Sequence, residues 1–127
     1  MNLDRYDPFE GALGFSLGVR AGDAIHVAGM IGLDSTDLSV PDDIEGQMRI
    51  AYKNLANVLD HFGCTMADVA TQTVFFVGDH ETAVAAAAKV RADVFGSELP
   101  ASAMIGVDRL VELRYLVEIQ ATAYKRS

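Results

Sequence analysis

Within the run Tyr115 to Tyr124, apolar and polar residues alternate from Val117 to Ala123, with Val117, Ile119, Ala121 and Ala123 on one parity and Glu118, Gln120 and Thr122 on the other. Successive side chains of a strand point to opposite sides, so the pattern specifies a strand buried on one face only. A slip of one residue would turn its whole apolar set outward. A fold built on this strand must cover one side of a sheet and leave a carboxylate on the other. A second β-like run, Ser102 to Val107, precedes it across a charged connection. Glu118 then has two readings: a solvated outward residue of a half-exposed sheet, or a carboxylate in a small-molecule site on the semi-polar face.

The remaining elements follow in chain order. The first dozen residues, with Pro8 and Gly11, read as an irregular arm. Phe15 to Arg20 reads as a strand that turns at Ala21-Gly22-Asp23 into a second strand, Ala24 to Ala28, a hairpin. Gly29 to Pro41 holds too many breakers for a long element and reads as loop, with a brief edge strand at Leu38 to Val40. Asp42 or Asp43 can cap a helix along which Ile44, Met48, Ala51, Leu55, Val58 and Phe62 recur at steps of three and four until Gly63. Thr65 and Asp68 suit a capping turn ahead of a central strand, Ala70 to Val77, rich in β-branched and aromatic residues. The alanine-rich run from Glu81 to Phe95 predicts a second helix, ended by Gly96 and followed by Pro100.

This order predicts an α+β fold: a single mixed β-sheet with two helices packed on one face, in one domain over residues 1–127. The other face, with Leu116, Glu118, Gln120 and Tyr124, must meet water or another subunit.

Composition narrows the function. The formal net charge is −8, with half of the 127 residues hydrophobic and one cysteine, Cys64. Nucleic-acid binding rests on phosphate neutralisation by basic residues, so this balance excludes nucleic acid as an expected partner. A lone cysteine makes no internal disulfide, the polar start Met1-Asn2-Leu3-Asp4-Arg5 is unlike a secretory leader, and no apolar run reaches membrane-spanning length. The expectation is a cytoplasmic protein without membrane attachment.

The chemistry-bearing residues are few. His26, His61 and His80 have no metal-ligand spacing, so neither a metal nor another cofactor is expected. His61 and His80 read as surface residues at helix ends, and His26 as a packed mid-strand histidine or a proton carrier beside Gly29. Cys64 has no histidine at a fixed offset and reads as structural. Gly11, Gly14 and Gly18 do not form a phosphate loop.

The order Pro100-Ala101, strand, Leu116-Val117-Glu118-Ile119-Gln120-Ala121 resembles the C-terminal signature of the reactive intermediate deaminase family, also called the YjgF-like or Rid family. Val19-Arg20-Ala21-Gly22-Asp23-Ala24-Ile25-His26-Val27-Ala28-Gly29 resembles its N-terminal hairpin. The resemblance covers nearly the whole chain. It implies a homotrimer with ligand clefts between subunits, a catalytic Glu118, and substrate contacts from Phe15, Ala28, Gly29, Ser102, Ala103 and Met104. It also shows departures. Ser102 stands where deaminating members have an arginine that forks onto the substrate carboxylate, and Phe15 where a tyrosine is common. Ala88 replaces a frequent asparagine, and the connection from Asp108 to Tyr115 is one residue longer than usual. Serine supplies neither fork nor charge. The resemblance therefore implies a hydrolase of the deaminase type acting on an enamine, imine or related reactive metabolite other than the usual 2-aminoacrylate. Arg20, Arg109 and Arg114 are candidate replacement cations. A non-catalytic small-molecule-binding trimer is the alternative; ribonuclease or translation inhibitor, older labels of the family, is opposed by the acidic charge.

Overall fold

The computed structural model describes residues 2–125, so positions 1, 126 and 127 of the expected domain lie outside the described residues. Its elements run β1 (Asp4–Tyr6), β2 (Gly18–Ala21), β3 (Ala24–Ile31), α1 (Ile44–His61), a 3₁₀ turn (Met66–Asp68), β4 (Val69–Phe76), α2 (His80–Phe95), β5 (Ala101–Gly106) and β6 (Val117–Tyr124). The strands form one sheet in the order β1-β2-β3-β6-β4-β5, in which only β4 and β5 are parallel. This is the mixed α+β sheet with helices on one face that the alternation predicts.

The central strand β6 orients the sheet. Val117, Ile119, Ala121 and Ala123 are buried with Ile25, Val27 and Met30 of β3 and Val74 and Phe76 of β4, and α1 covers them with Met48, Ala51, Leu55 and Leu59. The small faces of Ala83, Ala86 and Ala87 let α2 close in beside α1, and Phe95 meets Tyr52 edge-on at 5.5 Å. Asp43 caps α1 through the Gly46 amide and Asp79 caps α2 through the Thr82 amide. The expected capping box of Thr65 and Asp68 forms ahead of β4.

The hairpin turns in two residues. Gly22 has φ of +62° at the first position of the loop, the conformation that joins twisted antiparallel strands most easily. Several boundaries differ from expectation. The arm contains β1, three residues that pair with β2 from Asp4–Arg20 to Tyr6–Gly18. Strand β2 begins at Gly18, not Phe15, and β3 runs on past Ala28 to Ile31 through a bulge in which Ala28 and Gly29 together oppose Gln120. Leu38 to Val40 form no strand; Leu38 takes a positive φ of 61° in a turn closed by its own amide on the Asp34 carbonyl at 2.8 Å.

One buried polar residue fixes the start of β6. Gln47, 1% exposed on α1, donates from Nε2 to the carbonyls of Pro41 and Arg114, both at 2.9 Å, and accepts the Leu116 amide at 2.8 Å. It thereby ties the β5–β6 connection to α1 two residues before Glu118. Replacing Gln47 with leucine preserves bulk but leaves three backbone polar groups unpaired. Unfolding by urea should show a loss of about 2–4 kcal/mol; an unchanged midpoint would mean that water replaces the amide at no cost.

Candidate functional site

Glu118 sits on the uncovered face. Its lateral neighbours are Phe75 on β4 and Ile31 on β3, and Ile105 of β5 lies beyond Phe75. Its carboxylate lies across Gly29: a Cβ built on that glycine would stand 2.6 Å from Oε2 and 2.7 Å from Cδ. Glycine at the bulge thus makes room for the carboxylate against backbone. Glu118 is half-buried and, among the described residues, takes no hydrogen bond or ion pair from a side chain. The carboxylate thus stands beside Ile31 and Phe75 with no cation paired to it among the described residues.

The expected site residues do not all converge. Glu118, Ala28 and Gly29 come together at the bulge, and Ala103 shares their face, level with Gln120 across Thr73. Phe15 lies exposed in the loop before β2. Ser102 and Met104 point the other way, because β5 pairs in parallel with β4 and places them beside Gln72 and Val74, whose side chains are buried under the helices. Met104 packs on the core, so of the expected substrate contact its side chain is withdrawn and only its backbone remains to meet a ligand. Within one chain Ser102 cannot face Glu118, since two strand spacings, about 10 Å, and the thickness of the sheet separate them.

Ser102 belongs to another feature. Tyr52 donates to Gln72 Oε1 at 2.8 Å, Gln72 Nε2 donates to Ser102 Oγ at 3.2 Å, and Arg91 Nη1 reaches the same Oγ at 3.4 Å. Burial pushes the Tyr52 phenol up to about 12, so it remains a donor at neutral pH. The three cations considered from sequence are engaged elsewhere: Arg20 on the Gly22 carbonyl, Arg109 on Leu110 and Val111, Arg114 on Glu112 and the Tyr115 hydroxyl. Arg91 had no conspicuous signal in an alanine-rich helix. Neither did Phe75 and Ile105, whose facing depends on strand pairing.

His26 lies exposed on the uncovered face, 3.3 Å from Thr122 Oγ1. His61 stacks on Tyr6 at 3.9 Å between centroids, and His80 opens α2. Burial pushes the Cys64 thiol up, away from nucleophilic reactivity. A groove of about 750 Å³ between the two helix N-termini contains none of the expected site residues. Among the described residues no helix is long and apolar enough to cross a membrane.

Known proteins share this sequence pattern and fold. The family model described as Endoribonuclease L-PSP matches residues 8–125. A RutC family protein of Pyrococcus horikoshii is 33% identical over 112 residues, which is 87% of this chain and 86% of that protein. Among solved structures, a member of the YjgF/YER057c/UK114 family from Mycobacterium tuberculosis is 31% identical, with a TM-score of 0.84 over 98% of this chain and 100% of that one. A Rid family protein of unknown function from Yersinia pestis is 25% identical, with a TM-score of 0.80 over 87% of each chain. Since the family model spans nearly all described residues and the relatives are matched over most of their length, the chain belongs to the Endoribonuclease L-PSP family, the YjgF/Rid family, a membership that supports a small-molecule deaminase or binding role.

Proposed function

We propose that the protein is a Rid-type hydrolase, a single-domain cytoplasmic enzyme that deaminates an imine or enamine in clefts between the subunits of a homotrimer. The observation that carries the reading is the Glu118 carboxylate, half-buried, unpaired and laid across Gly29 at the β3 bulge. An enamine first takes a proton on carbon to become the imine. Glu118 then accepts a proton from water as its oxygen bonds to the imine carbon. It returns that proton to nitrogen, then takes the remaining hydroxyl proton and passes it to nitrogen as the C–N bond breaks, so a carbonyl and ammonia leave and the carboxylate is restored.

The opposite facing of Ser102 and Glu118 supports a cleft between copies, because two chains can bring together what one holds apart. Ala28 and Gly29 would line it on one side, with Phe15, Ala103, Ser102 and the Met104 backbone on the other. The usual 2-aminoacrylate is disfavoured, since Ser102 itself has no charge to hold its carboxylate. RNA cleavage is disfavoured despite the family's name, because a net charge of −8 repels a polyanion. A trimer that binds a small molecule without turning it over is the second reading; it uses the same cleft and differs only in what Glu118 does.

Sedimentation should give the mass of three chains, whereas a monomer at micromolar concentration would sink both the assembly and the shared cleft. Ammonia release should be measured on a panel of imines generated in situ by an amino-acid oxidase. Glu118→Gln should keep the assembly and lower turnover by about 10²–10⁴, and wild-type turnover in that variant would leave the binding reading.

A further inference from the structure

The end of β3 has little pairing of its own. After the bulge the strand rejoins β6 at two positions, Met30 opposite Ile119 and Ile31 opposite Glu118, and there it stops. On its other side the ladder with β2 ends at Val27, extended by one bond from the Ala28 amide to the Leu17 carbonyl. A strand end held by two pairs on one side opens readily. Yet Ile31 is the lateral neighbour of Glu118, and the register that lays the carboxylate across Gly29 lasts only while these two pairs last.

The helix α1 supplies what the ladder lacks. Asn54 spends both hydrogens of its carboxamide on this segment, donating to the Ile31 and Leu33 carbonyls at 2.9 Å each. Between those carbonyls Gly32 passes directly against the helix, where a Cβ would stand 2.6 Å from Gln47 Cβ and 2.7 Å from its Cα. Gln47 and Asn54 are seven residues apart, so after about two turns their carboxamides leave the same side of α1. Gln47 also donates to the Pro41 carbonyl, and the two side chains thereby hold the chain between Ile31 and Pro41 at both ends. Asparagine is a poor helix former, so in the middle of α1 it costs helix propensity that its two bonds to the strand end offset.

We propose that Asn54 is a positioning residue for Glu118: by clamping Ile31 and Leu33 to α1 it keeps the bulge in register, and with it the space at Gly29 in which the carboxylate lies. It acts through β3 and needs no contact with a ligand. The inference rests on the proposed function for what that placement serves. The one helix then sets the carboxylate from two sides, Gln47 through the Leu116 amide ahead of β6 and Asn54 through the end of β3.

The test compares Asn54→Leu, which keeps bulk and removes both donors, with Asn54→Gln, which keeps a donating amide on a longer arm; Asn54→Ala takes the place of the leucine variant should that not fold. Hydrogen exchange of the assembled protein, read by mass spectrometry, should quicken about tenfold in peptides covering residues 28–33 of Asn54→Leu and stay at the wild-type rate in α2. The carbon-13 carboxyl signal of Glu118, assigned by its loss in Glu118→Gln, should move in Asn54→Leu and return toward its wild-type position in Asn54→Gln. On the imine panel kcat should fall by about 10–100-fold in Asn54→Leu with KM within about twofold, the split expected when a reacting group is misplaced and binding is kept. Leu59→Ala, which opens a cavity in the core under α1, is the comparison for simple destabilisation and should leave kcat and the Glu118 signal as they are. A Glu118 signal indifferent to Asn54, or a loss of kcat that Leu59→Ala reproduces, overturns the inference. A wild type that turns over no imine overturns the proposed function alone, because the Glu118 signal still decides what Asn54 does.

Discussion

Burial of one face of β6 is the constraint from which the other placements follow. Val117, Ile119, Ala121 and Ala123 must lie under α1 and α2, so Glu118, Gln120 and Thr122 must face away. Each neighbouring strand inherits its facing through pairing: Phe75 beside Glu118 and Ile105 beside Phe75 on one side, Gln72 and Ser102 on the other. The energy that enforces this is collective, since turning β6 by one residue would expose four apolar side chains and bury a carboxylate with no partner. Side-chain chemistry did not choose where Glu118 points; the apolar residues beside it did.

The pairing lattice yields at the bulge of Ala28 and Gly29, as it does once more between Val69 and Thr71 of β4. An extra residue in β3 shifts its register, so that Met30 returns to the core and Ile31 joins the uncovered face. The irregularity falls beside Glu118, and the missing Cβ of Gly29 is the space its carboxylate occupies. A regular strand with an alanine there would keep the fold and push the carboxylate outward into water. Gln47 acts on the same residue from the other end, through the amide of Leu116. The position of Glu118 is therefore set at both ends by backbone, and its side chain needs no ion pair to stay where it is.

Much of this was legible in the sequence where a single element determines its own pattern. The period of α1 and the alternation of β6 are properties of one segment burying one face, and both held. The capping roles of Asp43 and of Thr65 with Asp68 are equally local. What could not be read depends on a partner segment. Three residues, Asp4 to Tyr6, become a strand only because β2 presents an edge to them. The run Ala-Ser-Ala-Met-Ile-Gly has no alternation to show which side Ser102 takes, and its parallel pairing with β4 decides it. Arg91 looked like any solvated cation of a surface helix, because its meaning lies in Ser102 eleven residues away and in the absence of an acid between them.

That last relation changes what the serine signifies. Ser102 on its own removes a charge from a place where the family resemblance led one to expect it. With Arg91 beside it a guanidinium on α2 reaches the same hydroxyl, and Gln72, whose own oxygen accepts from Tyr52, donates to it as well. The acceptor positions of Ser102 Oγ are thus taken from the strand by Gln72 and from the helix by Arg91, and its own proton is what it can still offer to the groove beside Ala88 and Leu99.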